Sequence, residues 1–129
     1  MPTFSKRSSK ELGTCHYLLQ DLMNRAIKET DFTVICGFRD KAQQEKAFAE
    51  GRSRAKWGQS KHNSWPSMAV DVVPYPIDWD DVDRFETLGI VIQRCWDEMP
   101  IEARGGWKLV WGKGFKGLVD YPHWELQKV

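Results

Sequence analysis

Residues 60–74 read SKHNSWPSMAVDVVP, and this stretch decides how the chain folds. Ser60–Ser67 is polar and broken by Pro66, so it reads as loop. Met68–Val73 is apolar apart from Asp71 and rich in β-branched residues. It reads as a strand that Pro74 and Pro76 end. An ionised carboxylate inside such a strand is costly unless it is paired or bound to a metal. Asp71 therefore has two readings, a salt bridge to a nearby arginine or a metal ligand. His62 lies in the loop that leads into the strand, so its ring can return to the same point in space.

On the N-terminal side, residues 8–29 read as one helix. Ser8 and Glu11 form a capping box, and Leu12, Cys15, Leu19, Leu22 and Ala26 line one face. Phe32–Cys36 (FTVIC) reads as a buried strand ended by Gly37. Asp40 caps a helix that runs to about Glu50, with Gly51 beyond it. Residues 51–67 form a long loop, and long loops in compact domains are often functional. On the C-terminal side, Asp78–Asp81 supply the acidic start of another helix. Its face is Val82, Phe85, Gly89, Ile92 and Trp96, and Pro100 follows its end. Trp107–Trp111 is strand-like, Gly112, Gly114 and Gly117 mark a loop, and Pro122–Leu126 is a last short strand. The order α-β-α-loop-β-α-β-β predicts one small α+β domain over residues 1–129, its helices packed on a mostly antiparallel sheet.

The 129 residues are 41% hydrophobic and include seven Trp, which excludes a disordered chain. A net charge of +1 gives no sign of a nucleic-acid partner. The charge is uneven: residues 1–61 hold 12 Lys/Arg against 7 Asp/Glu, and residues 62–129 hold 7 against 11. The basic excess gathers at Arg52, Arg54, Lys56 and Lys61, just ahead of His62. It is either a solvated loop or a lure for an anionic polymer. Cys15, Cys36 and Cys95 are scattered and odd in number, which indicates neither a disulfide framework nor a thiolate metal site. No apolar signal-peptide core or membrane-length run is present, so synthesis in the cytoplasm without a signal peptide and no membrane insertion are expected.

A second segment, DYPHW at 120–124, supplies His123 and, three residues before it across Pro122, Asp120. Two imidazoles and one carboxylate commonly hold a catalytic zinc and leave a position open for water. A further carboxylate nearby is the general base that such water needs. A lone histidine is more often a hydrogen-bonded residue, and His16 is read that way.

The pattern Ser60-x-His62…Ala69-x-Asp71 followed by Asp120-x-x-His123 resembles the LAS-type zinc peptidases of bacterial cell walls. These include VanY-like D-Ala-D-Ala carboxypeptidases and the L-alanyl-D-glutamate endopeptidases used as phage endolysins. DFTVICGFRD, AVDVVPYPIDW and the closing PHWEL look like the endolysin branch, and the resemblance spans about Ser8 to Leu126. It implies a Hedgehog/DD-peptidase-like fold and one zinc per chain held by His62, Asp71 and His123. It makes Asp120 the catalytic base, Arg39 a residue for substrate or the developing oxyanion, and Ser60 a substrate-side residue beside the metal. Eight residues separate His62 from Asp71, a longer gap than is common in the family, and Pro66-Ser67 stands where a glycine is usual. The acid before His123 is Asp and not the Glu of other branches, so its reach is shorter.

The resemblance further implies a monomer acting on the peptidoglycan stem peptide, most readily at the L-Ala–D-Glu bond. It would reach the wall once the membrane is permeabilised, without a separate cell-wall-binding domain. Terminal D-Ala trimming and a zinc-stabilised binding module without catalysis are the alternatives; Asp120 speaks against the second. A cysteine peptidase using Cys36 with His62 is a further rival, weakened by the apolar run around Cys36. Arg39 can equally be a partner of Asp40 or a surface charge. Trp107 and Trp111 can wall a groove or fill the core.

Overall fold

The computed structural model describes residues 2–129. Helices α1 (Lys6–Leu12) and α2 (Tyr17–Ala26) lead into strand β1 (Phe32–Cys36) and helix α3 (Lys41–Ala49). Strand β2 (Ala69–Pro74), helix α4 (Val82–Glu98) and strands β3 (Trp107–Trp111) and β4 (His123–Lys128) complete the chain. The four strands form one antiparallel sheet in the order β1-β2-β4-β3. This is the expected α+β class.

Strand alternation divides the sheet between core and site. Val70 and Val72 on β2, and Trp124 and Leu126 on β4, point to one face and join a core with Leu19, Leu22, Leu88, Ile92 and Trp96 from α2 and α4. Leu19 and Leu22 have no exposure, so truncating either to Ala costs about 2–5 kcal/mol. Asp71, His123 and Glu125 take the other face, where Asp71 pairs directly with His123. Trp111 lies flat on Trp124, ring centroids 4.9 Å apart, and Trp107 also packs on the core. Both indoles are therefore structural.

The N-terminal helix departs from its sequence reading. It is two helices, broken at Gly13–His16, and Ser8 and Glu11 do not cap it. Ser5 caps α1, while the Ser8 hydroxyl accepts the Val34 N–H and the Glu11 carboxylate accepts the Gly37 N–H. Thr14 Oγ1 accepts the Phe38 N–H. These three side chains satisfy the free edge of β1 and fix the Gly37–Arg39 turn. The break lets His16 N–H bond to the Ser67 carbonyl and Ser67 N–H to the Thr14 carbonyl. The loop end is thereby stitched to the helix pair. Elsewhere the capping signals hold: Asp40 caps α3 with Gln43 completing the box, and Asp81 caps α4. No helix among the described residues is long and apolar enough to cross a membrane.

Candidate metal centre and groove

Three donor atoms meet on the polar face of the sheet. His62 Nε2 lies 3.2 Å from Asp71 Oδ1 and 3.2 Å from His123 Nδ1, and His123 Nδ1 lies 3.1 Å from Asp71 Oδ1. Tetrahedral zinc, with bonds near 2.0–2.1 Å, places its ligand atoms about 3.3 Å apart. The three side chains fit such an ion.

The outward ring nitrogens explain why the inward ones carry lone pairs. His62 Nδ1–H donates to the Gly37 carbonyl at 2.7 Å, and His123 Nε2–H donates to Glu125 Oε1 at 2.7 Å. Both acceptors lack a proton to give, so with a cation bound each ring would be neutral and fixed in the tautomer that aims its free nitrogen toward Asp71. Burial disfavours charge at all three groups, but their mutual attraction outweighs it. Asp71 lifts His62 to about 10 and His123 to about 9, and the two rings hold Asp71 well below the carboxylate range. This point in the fold favours positive charge.

Cys36 is nearer than the sequence suggested. A bulge between Val34 and Cys36 sets Cys36 opposite Asp71, and its Sγ sits 3.8 Å from His62 Nδ1. Cys36, His62 and Asp71 also offer donor atoms within 4.8 Å of one another and can hold a metal. The histidine pair with Asp71 is the tighter set, and His62 Nδ1 is already committed to Gly37. That commitment also removes the lone pair that a cysteine peptidase would need to activate the thiol.

The turn and loop residues seat the three donor side chains. Ser60 caps the short 3-10 turn Lys61–Asn63 by accepting the His62 N–H at 3.1 Å, so its hydroxyl supports His62 from the backbone side. The Arg39 N–H donates to the His62 carbonyl at 2.8 Å. Arg39 Nη2 lies 3.8 Å from Asp71 Oδ2, and Nη1 donates to Gln44 at 3.0 Å. Arg39 is thus neither a partner of Asp40 nor a surface charge. Fully buried Gln44 is a hub that sequence reading missed. Its amide nitrogen donates to the Ala55 carbonyl and Ser53 hydroxyl, and its oxygen also accepts from Asn63. A polar helix position carries no such signal. Glu125 was missed too, although its i+2 spacing from His123 on a strand places both on one face.

Asp120, His62, Asp71 and His123 line one cavity of about 450 Å³, together with Ser60, Arg39 and Phe115. The Asp120 N–H donates to the Gly112 carbonyl, and its own carbonyl accepts the His123 N–H at 3.2 Å. Burial, then the charge of Asp71, raises the Asp120 carboxyl above the ordinary value. Gly112 makes this turn possible. A Cβ there would collide with the Asp120 carbonyl oxygen and come within 3.1 Å of the His123 Cβ. Gly112→Ala should therefore lower stability by about 1–3 kcal/mol, read by thermal unfolding, and disturb Asp120 and His123 together. An unchanged melting curve with full activity would refute that packing argument.

Known proteins share this arrangement of chain. A family described as phage L-alanyl-D-glutamate peptidase matches residues 2–127. The L-alanyl-D-glutamate peptidase of Escherichia phage T5 is 33% identical over 108 residues, 80% of this chain and 78% of that protein. The crystal structure of the Serratia marcescens L-Ala D-Glu endopeptidase ChiX superposes with a TM-score of 0.75 at 27% identity. The match covers 96% of this chain and 89% of that one.

Proposed function

The chain belongs to the phage L-alanyl-D-glutamate peptidase family, and on that premise we propose a zinc-dependent peptidoglycan endopeptidase that hydrolyses the L-Ala–D-Glu bond of the stem peptide. The observation that carries the zinc reading is the convergence of His62 Nε2, His123 Nδ1 and Asp71 Oδ1 with both outward nitrogens already bonded. Those three atoms would hold one ion per chain. When bound, zinc supplies a Lewis acid that acidifies water and polarises a peptide carbonyl.

The chain's own groups do the rest. Asp120 takes the proton of the attacking water and returns it to the leaving D-Glu nitrogen. Arg39, held in place by Gln44, offers positive charge to the carbonyl oxygen as it becomes anionic or to the α-carboxylate of D-Glu. Ser60 keeps His62 in register from the edge of the cavity. The enzyme acts as a monomer on the wall once the membrane is opened. Digestion of purified peptidoglycan tests the reading: zinc-loaded protein should solubilise it and chelator-treated protein should not, with activity returning on added zinc.

Arg39→Ala should fold and retain zinc but lose most of its kcat/KM. Arg39→Lys should recover only part of it, because a point charge replaces a planar fork. Steady-state kinetics on a soluble stem peptide reads both. Full activity in Arg39→Ala would remove Arg39 from the site and leave the ligand set standing.

A further inference from the structure

We propose that the substrate groove has a second arm beyond Arg39 and Asp71, built for the sugar-bearing half of the stem peptide, with Trp79 as its stacking platform. This rests on the endopeptidase reading above. The arm is a cavity of about 660 Å³ that shares Arg39, Arg52 and Asp71 with the cavity over the histidines. The two are one groove that passes across the candidate centre. A bond inside a peptide needs room on both sides.

Each arm carries two more basic than acidic side chains, with Asp120 and Glu125 in the arm over the histidines and Glu11 in the far one, and the two differ in their aromatic lining. The arm over the histidines adds Arg54, Lys61 and Lys116 to the shared residues. The far arm adds Ile35, Phe38, Trp79 and Pro122, with Arg7 and Lys46 as donors in its lining. Beyond the scissile bond on the D-Glu side the stem peptide carries carboxylates, which Arg54, Lys61 and Lys116 can bind. On the L-Ala side it continues into a lactyl group and a neutral amino sugar. The C–H face of a sugar ring packs on an aromatic face, and its acetamido and lactyl oxygens accept from cations.

Trp79 is placed for this. It is 55% exposed, an unusual setting for an indole, yet it is braced from behind. Its ring lies 6.1 Å from that of buried Phe85, which lies 6.0 Å from Tyr121. Tyr121 in turn lies 6.2 Å from Trp111, stacked on Trp124 in the core. Phe38, another aromatic of this arm, is backed edge-on by Trp65 at 5.2 Å. An indole already packed on Phe85 has less freedom to lose when a sugar lands on it.

The test compares two soluble substrates, a disaccharide-linked tetrapeptide and the same tetrapeptide without sugar. The wild-type protein should show the higher kcat/KM on the sugar-bearing substrate. In Trp79→Ala the ratio between the two substrates should fall about tenfold, and Trp79→Phe should restore much of it. Arg54→Gln should lower both rates and leave the ratio alone. Equal wild-type kcat/KM on both substrates, or an unchanged ratio in Trp79→Ala, would overturn the proposal. If the wild type cuts neither substrate between L-Ala and D-Glu, the endopeptidase reading itself fails, so the two failures are distinct.

Discussion

An Asp120→Asn protein is expected to carry its full zinc and to lose kcat by about a hundredfold or more, the scale of a lost general base. Asn keeps the shape of the side chain and both backbone bonds that tie the turn to Gly112 and His123. It cannot take a proton from water. Metal analysis and single-turnover rates on the same preparation separate the two effects. Loss of zinc in this variant would make Asp120 a ligand and overturn the assignment of roles.

Removing a ligand has the larger effect. His62→Ala and His123→Ala should each lose bound zinc and fall to background activity together, as should the chelated wild type. Cys36→Ser supplies the contrast, because Cys36 stands beside the same ring. It should keep both zinc and activity. Zinc retained in His123→Ala but lost in Cys36→Ser would show that the ion sits in the cysteine-containing set instead.

Asp71 was legible in the sequence because a lone carboxylate interrupts an otherwise apolar strand. The cap at Asp40 and the acidic start of α4 were legible because both are local chemistry. Ser8 and Glu11 misled for the same reason. Their spacing satisfies a capping box, yet the unpaired edge of β1, distant in sequence, is the stronger demand on their oxygens. Tertiary need also explains why Gln44 and the bulge at Cys36 were invisible. Each acts partly through partners more than ten residues away, and no periodicity announces them. His62 and His123 could be paired from sequence only through the resemblance of their motifs, since 61 positions separate them. The register of β2 against β4 supplies the reason they meet.

The central claim is where the chain cuts. Purified peptidoglycan digested with the zinc-loaded protein, followed by mass spectrometry of the released termini, tests it directly. New N-terminal D-Glu, with L-Ala left on the muramic acid, is the predicted result. Free D-Ala as the sole product, with the L-Ala–D-Glu bond intact, would contradict it.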